Sequence, residues 1–322
     1  MTKTKKTSRR APAAEQGSIH RVGFRRYMKK YWPLYVMMIL PVIYFIVFKY
    51  LPMFGNILAF RRYRPGMSPW GESWAGLRYF QLFMKDPMFW SAFKNTLVLS
   101  LLNLMVNFFL PIVFAILLNE VRNKKFKKLI QTISYMPRFI STVVVITILG
   151  ELLSPSSGLV NLFLKNTFGI EPIYFMNEPG WFRFIYILTD SWQFTGWTAI
   201  IYLAAITGIS GDLFEAAEID GAGRLQQIFY VTIPSIMPTI MVMLILNVGR
   251  MLTLGFEKVL LMYTPNNAAV SDILDTLVYR TGLANQNYSY ATAIGLFTGV
   301  IGVILVTSAN ALSRRVTGES VY

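Results

Sequence analysis

The residue types that most often carry catalysis or bind metals are scarce in this chain of 322 residues. Cysteine is absent and the one histidine, His20, lies in a polar N-terminal segment, which excludes thiol chemistry and disulfides and argues against a histidine metal site. Within long apolar stretches the acids are Glu151 and Asp190, which form no recognisable acid–base constellation. The Gly-x-x-x-x-Gly-Lys-Ser/Thr pattern of a nucleotide-binding loop does not occur. We therefore predict no catalytic, cofactor-binding or metal-binding residue.

A second set of polar and aromatic side chains lies inside the apolar stretches, where a polar group surrounded by hydrocarbon is costly. Such groups usually face a cavity or a neighbouring helix, and tryptophan rings can also stack on sugars. The residues that we nominate for a substrate pathway are Asn103, Asn107, Asp190, Trp192, Gln193, Trp197 and Asn247. The alternative is that the polar residues join helices to one another and that the tryptophans sit at a membrane interface or in the packed interior.

Two arginines stand at the margins of apolar stretches. Arg250 falls near the end of one stretch, and Arg138 falls inside another if that stretch begins at Pro137. Long basic side chains near the end of a membrane helix commonly extend to the interface, so this is the default interpretation. The functional alternative is that the two guanidinium groups attract an anionic sugar.

The elements that position these residues follow from composition. The chain is 54% hydrophobic and only 15% charged, with a mean hydropathy of +0.46. Stretches of about 20 apolar residues are long enough to cross roughly 30 Å of hydrocarbon as helices. We predict an all-α integral membrane protein with six transmembrane helices. The predicted spans are residues 32–51, 95–118, 129–152, 184–206, 234–255 and 290–312.

The net charge of +15 raises the question of a nucleic-acid partner. The basic residues lie beside the apolar spans, however, and residues 1–30 form a basic tail while residues 122–128 form a basic loop. An excess of Lys and Arg marks the cytoplasmic side of a membrane protein. We therefore predict a lipid bilayer as the partner rather than nucleic acid, with both termini in the cytoplasm, including a second tail at residues 316–322.

The segment between the fourth and fifth spans, residues 207–233, carries a legible helix–turn–helix pattern. Asp212 is placed to cap a helix whose third residue is Glu215, since acidic groups are favoured in the first turn. Gly221 and Gly223 then end or bend that helix, and a second short helix follows before Pro234 opens the next span. The pattern predicts a short helix across the cytoplasmic face.

The spacing within this segment resembles the EAA loop of binding-protein-dependent ABC permeases. Glu215-Ala216-Ala217 is followed by Gly221 and, after nine further residues, by Val231-Thr232-Ile233-Pro234. The family pattern ends in Ile-x-Leu-Pro, so Val231 and Ile233 are apolar replacements within it. The alternative is an ordinary connecting helix, because Glu-Ala-Ala is a common helical tripeptide; the full spacing between two spans favours the family.

This resemblance, which extends from about residue 31 to residue 315, implies a MetI-like core in spans two to six. It implies that the loop docks on an ATP-binding subunit through Glu215, Ala216, Ala217, Asp220 and Gly221. It further implies a second permease subunit in a heterodimer, two ATP-binding subunits that hold ATP and Mg²⁺, and an extracytoplasmic solute-binding protein. The chain is most similar to the sugar-permease branch that contains LplB-type subunits and the first membrane subunit of alginate importers.

We therefore expect a non-enzymatic permease subunit of the bacterial cytoplasmic membrane that imports an oligosaccharide, with acidic oligosaccharides such as those of alginate as the leading class. Two alternatives belong to other classes. An ion-coupled membrane carrier would show buried charge pairs or broken helices but would give no reason for the loop pattern. A membrane-embedded glycosyl-transfer enzyme would gather catalytic groups near one interface. Dependence of transport on a separate ATPase distinguishes the three.

Overall fold

The computed structural model describes residues 24–317 except residues 67, 69 and 254. Most of the predicted N-terminal tail, with His20, and residues 318–322 of the predicted C-terminal tail lie outside the described residues. The chain divides into two compact units, Met1–Gly55 and Asn56–Tyr322. The first unit begins, in its described part, with α1 (Phe24–Phe45), which continues through a π-helical turn (Ile46–Tyr50) into α2 (Leu51–Met53).

A small polar layer opens the second unit. After a 3-10 helix (Phe54–Phe60), two short antiparallel strands pair, β1 (Arg61–Arg62) and β2 (Ser73–Trp74). Ser289 anchors this layer, since its hydroxyl accepts a hydrogen bond from Tyr63 N at 3.1 Å and donates to Arg61 O at 2.7 Å.

The rest of the second unit is helical. Its first helices are α3 (Arg78–Lys85), α4 (Pro87–Glu120), α5 (Lys124–Tyr135), a 3-10 turn (Met136–Phe139), α6 (Thr142–Leu152), α7 (Leu159–Phe168) and α8 (Pro179–Thr207). They are followed by α9 (Gly211–Ile219), α10 (Arg224–Gln227), a π-helical turn (Ile228–Thr232) and α11 (Ile233–Gly249). The last elements are α12 (Phe256–Met262), α13 (Ala268–Ser271), α14 (Leu274–Val278), a π-helical turn (Tyr279–Ala284) and α15 (Tyr288–Thr317).

The apolar core lies mainly where α4 packs along α8 and α11 packs along α15. One buried cluster joins Phe108 and Ala115 of α4 to Ala199 and Tyr202 of α8 and to Ile236 of α11. These helices carry apolar residues on nearly every face, as expected for helices that meet lipid on one side and protein on the other. The packing of α4 against α8 fixes the walls of the site described below.

Among the residues that the structure describes, four helical stretches are long and apolar enough to cross a membrane. They are Met28–Phe60, Pro87–Glu120, Arg224–Gly249 and Tyr288–Arg315. Two further spans arise if each of two bent helix pairs is one crossing, Lys124–Phe139 with Thr142–Leu152 and Pro179–Thr207 with Gly211–Ile219. This arrangement confirms the predicted fold class, an all-α membrane protein, with four to six candidate spans.

The third predicted span, residues 129–152, is not one straight helix. Its two halves, Lys124–Phe139 and Thr142–Leu152, meet at an angle of 100°. Pro137 lies in the 3-10 turn before the break, where it cannot donate a backbone hydrogen bond. Ser141 then starts α6 anew, because its hydroxyl accepts from Val144 N at 3.3 Å. A sequence that caps a helix in the middle of an apolar run breaks the span there.

Helix α8 supports this break. Gln193 Nε2 donates to the carbonyl oxygen of Ile140 at 3.3 Å, which satisfies a backbone group that the break frees from helical pairing. Beside it, a Cβ atom on Gly196 would lie 2.2 Å from Ser134 O, so only glycine allows α5 to cross α8 this closely.

The fifth predicted span also differs from the structure at its end. Helix α11 stops at Gly249 instead of residue 255, because Arg250 N and Met251 N close tighter turns onto Asn247 O and Val248 O. The turn after Gly249 brings Arg250 toward the cavity described next.

Candidate substrate cavity and docking helix

A cavity of about 460 Å³ opens between α4, α8 and α11, with the turn after α11 closing one side. Five of the seven residues nominated for a substrate pathway line it: Asn103, Asn107, Asp190, Trp197 and Asn247. They come from three helices that are distant in sequence, so the fold brings them together. Their role in binding a substrate stays a prediction.

The polar residues of α4 and α8 form one hydrogen-bond network in the cavity wall. Asn107 Nδ2 donates to Asn103 Oδ1 at 2.6 Å and lies 3.4 Å from Asp190 Oδ2, and Asn107 Oδ1 accepts from the hydroxyl of Ser191 at 2.7 Å. The network therefore joins two helices and lines a cavity at the same time. Both roles considered for these residues are compatible with their geometry.

Asp190 is also part of a buried ion pair. Its Oδ1 atom lies 3.2 Å from Nζ of Lys258, a residue of α12 whose side chain is only 5% exposed, against 18% for Asp190. Sequence reasoning missed Lys258 because it lies outside every predicted span. The available signal was a lone lysine within the short apolar segment that follows Gly255.

Two nominated residues lie elsewhere. Trp192 is 52% exposed and lines a separate apolar pocket with Leu188 of α8 and Ile148 of α6. Gln193 is buried and occupied with Ile140 O at the helix break. The structure brings neither of them to the cavity.

Both arginines at the margins of the apolar stretches line the cavity. The guanidinium of Arg138 stands 4.9 Å from the ring centre of Phe194, which holds it against α8. In the part of the chain that the structure describes, neither Arg138 nor Arg250 forms an ion pair with a carboxylate. The cavity therefore presents two cationic groups that have no counter-ion among the described residues.

The second feature is α9, which follows α8 after a bend of 69°. Ser210 starts it, with its hydroxyl accepting from Asp212 N at 3.3 Å. The predicted cap, Asp212, is therefore wrong: Ser210 is the cap, the helix begins at Gly211, two residues before the predicted start, and Asp212 lies in its first turn. An acidic residue in the first turn lies near the positive end of the helix dipole, where it is favourable.

The turn after α9 has the geometry of a Schellman motif. Gly221 N donates to Glu218 O at 3.0 Å and Ala222 N donates to Ala217 O at 2.8 Å. Gly221 itself has φ of +81°, in the left-handed region that glycine adopts without steric cost. The predicted helix end at this glycine agrees with the structure, and the turn sets the direction of the chain toward α10.

The chain then enters the next span without leaving helical geometry. Gln226 Oε1 accepts from Gly223 N at 2.7 Å at the start of α10. Pro234 lies in the first turn of α11, where it cannot donate a backbone hydrogen bond. The π-helical turn Ile228–Thr232, directly before α11, lets the helix continue past this missing hydrogen bond.

The residues nominated for docking all lie on α9 or its C-terminal turn. Glu215, Ala216, Asp220 and Gly221 are exposed and Ala217 is partly buried. None of the acidic residues of α9 forms an ion pair with another described residue.

Exposed apolar side chains accompany the helix. They are Leu213, Leu225, Phe229, Tyr230 and Ile219, the last of which is 87% exposed. An apolar patch of this kind next to unpaired acids is typical of an interaction surface.

The sequence and the structure both match known permeases. The family described as "Binding-protein-dependent transport system inner membrane component" matches residues 111–318. The polygalacturonan/rhamnogalacturonan transport system permease protein YteP of Bacillus subtilis (strain 168) is 45% identical over 289 residues, 90% of each chain. Protein LplB of the same organism is 40% identical over 289 residues, 90% of this chain and 91% of that protein.

Among solved structures, a crystal structure of a bacterial alginate ABC transporter, in complex with an alginate pentasaccharide-bound periplasmic protein, matches with a TM-score of 0.85. The two chains are 40% identical, and the match covers 92% of this chain and 99% of that one. These similarities confirm the resemblance inferred from the loop spacing and the MetI-like fold that it implied. The chain belongs to the family of binding-protein-dependent transport system inner membrane components.

Proposed function

We propose that this chain is the membrane-spanning subunit of an ATP-driven importer and forms part of the translocation pathway for an oligosaccharide. The observation that carries the proposal is the course of α8. Its middle turns line the polar cavity through Asp190 and Trp197, and its C-terminal end leads directly into the exposed helix α9. A partner that moves α9 would therefore move the cavity wall through one bent helix pair, as alternating access requires.

The partner that α9 fits is an ATP-binding subunit. Glu215, Ala216, Ala217, Asp220 and Gly221 would form the docking site: the small residues permit close approach of another helix, and the unpaired carboxylates can accept hydrogen bonds from it. Two such subunits would hold ATP and Mg²⁺, so that hydrolysis takes place off this chain. The exposed apolar residues beside α9 support this role, because burial against a partner would remove them from water.

The remaining parts of the assembly follow from the family. A second, different permease chain would complete the pathway, and an extracytoplasmic solute-binding protein would deliver the sugar. We place the protein in the bacterial cytoplasmic membrane, with both termini and α9 on the cytoplasmic side. The structure contains a buried charge pair, Lys258 with Asp190, and a broken span, both of which an ion-coupled carrier would also show. Such a carrier gives no reason for the loop pattern, however, and the relatives are permease subunits, so neither the carrier nor the glycosyl-transfer enzyme is favoured.

The substrate class that the cavity fits best is an acidic oligosaccharide. Arg138 and Arg250 can each pair with a uronate carboxylate through two parallel hydrogen bonds. Asn103 and Asn247 can bind sugar hydroxyls, and the ring of Trp197 offers a face for stacking. Two relatives support the same class: YteP, which is described as a polygalacturonan/rhamnogalacturonan permease protein, and the alginate transporter of the matching crystal structure.

The test is ATP hydrolysis by the assembled transporter in lipid, driven by its solute-binding protein with and without trigalacturonate. We expect stimulation in the wild type and its loss in the double variant Arg138→Gln/Arg250→Gln. Arg122→Gln is the matched control, because Arg122 is exposed and does not line the cavity. Equal stimulation of all three proteins would refute the acidic-substrate assignment. A rate of ATP hydrolysis that does not change when the binding protein is added would refute the proposal that the protein is part of an importer.

A further inference from the structure

Among the cavity-lining residues, the only carboxylate that the structure describes is Asp190. A negative charge at this position would oppose the entry of an anionic sugar, so its presence needs a physical explanation. The explanation lies behind the cavity wall, where Nζ of Lys258 stands 3.2 Å from Asp190 Oδ1.

Lys258 is placed to act on Asp190 and not on a substrate. It does not line the cavity, and its side chain is almost entirely buried. All its described polar contacts are with α8: Nζ donates to Tyr186 O at 3.1 Å and to Asp190 Oδ1 at 3.2 Å, and it lies 4.6 Å from the ring centre of Tyr186. Burying an ammonium group is costly unless it is paired, whereas apolar residues commonly hold two helices together without that cost. Packing α12 against α8 therefore does not by itself explain a lysine at this position.

Resting on the proposed import of acidic oligosaccharides, we infer that Lys258 is a specificity-determining residue: it neutralises Asp190, so that Arg138 and Arg250 alone set the charge of the cavity. The pair contributes a net charge of zero while the carboxylate still holds Asn107 of α4. Asp190 thus serves the hydrogen-bond network without repelling an anionic substrate.

This inference predicts an order among variants that depends on charge. Lys258→Met leaves one uncompensated negative charge at the cavity, and Asp190→Asn leaves one positive charge. The double variant Asp190→Asn/Lys258→Met restores a net charge of zero with side chains of similar size. A purely structural contact predicts something different, namely that both single variants lose activity in the same direction and that the effect is equal for charged and neutral sugars.

The experiment is ATP-dependent uptake into proteoliposomes that contain the complete transporter and its solute-binding protein. The substrates are trigalacturonate and its neutral methyl ester, and initial rates are compared for the wild type, the two single variants and the double variant. Because the binding protein is the same throughout, a change between variants reports on the permease. Uptake of the ester measures any general loss through poor folding.

We expect Lys258→Met to lower trigalacturonate uptake, relative to the ester, by at least about tenfold, because one unit charge within roughly 12 Å of the substrate has that effect or a larger one at an effective dielectric constant of about 20. Asp190→Asn should keep or raise the relative uptake, and the double variant should return to the wild-type value. Equal losses in both single variants, without recovery in the double variant, would overturn the inference alone. A wild type that carries no trigalacturonate would overturn the acidic-substrate proposal on which it rests.

Discussion

Replacing Gly221 by valine should weaken docking of the ATP-binding subunit by distorting the turn that ends α9. Gly221 has φ of +81°, and no heavy atom lies within 4 Å of the position that a Cβ would take. Steric collision with another residue is therefore not the cause of the expected defect. The cause is the backbone itself, because a side chain in the left-handed region clashes with its own carbonyl oxygen.

The size of the effect follows from that geometry. The left-handed conformation costs an L-residue about 1–2 kcal/mol, which corresponds to a factor of about 5–30 in an equilibrium constant. Asparagine tolerates this conformation best after glycine, and a β-branched residue tolerates it least. Affinity for the ATP-binding subunit should therefore fall in the order Gly, Asn, Ala, Val at position 221.

The assay is the dissociation constant of the purified ATP-binding subunit for the permease pair in nanodiscs. Gly169→Val is the matched control, because Gly169 ends α7 with φ of +65° and also has open space around its Cβ position. We expect the control to bind as the wild type does. Unchanged affinity of Gly221→Val, or an equal loss in the control, would refute the assignment of α9 as the docking helix.

Three further predictions concern the scaffold and are read out by thermal unfolding in detergent. Gly196→Leu should lower the unfolding temperature strongly, because its Cβ would lie 2.2 Å from Ser134 O, whereas substitution at a glycine with open space, such as Gly180, should have little effect. Asn161→Leu should lower the free energy of unfolding by about 1–3 kcal/mol, since the buried carboxamide of Asn161 accepts from Ile173 N (2.8 Å) and donates to Ile173 O (2.9 Å). A variant as stable as the wild type would contradict this. Burial raises the pKa of Asp275 to about 6. The contribution of Asp275 to stability is therefore greatest below its ordinary pKa near 4 and declines as the pH rises to 6. The difference in unfolding temperature between wild type and Asp275→Asn should follow this trend, and a pH-independent difference would refute it.

The fold class and the short helix α9 could be predicted because their signals are local. An apolar run of membrane length is visible in any window of the sequence, and the spacing from Glu215 through Gly221 to Pro234 lies within one loop. The break between Phe139 and Thr142 was harder to predict, because hydropathy stays high across this stretch. The break becomes visible only when Pro137 and the capping serine are both interpreted as turn signals. Local capping decided the geometry there, and hydropathy did not.

The membership of the cavity was only partly predictable. Asp190 and Trp197 are seven residues apart, close to two helical turns, and so share a face of α8. Trp192 is two residues from Asp190 and lies on nearly the opposite face, so helical periodicity alone could have separated it from the cavity group. The pairing of Asp190 with Lys258 depends on how α12 folds back against α8, and no local pattern encodes that contact.

The most direct test of the account is uptake of labelled trigalacturonate into proteoliposomes, with each component left out in turn. We predict that uptake requires the permease pair, the ATP-binding subunits, ATP and the solute-binding protein together. Uptake by the permease chains without ATP or without the ATP-binding subunits would contradict the account and would favour a carrier that works on its own.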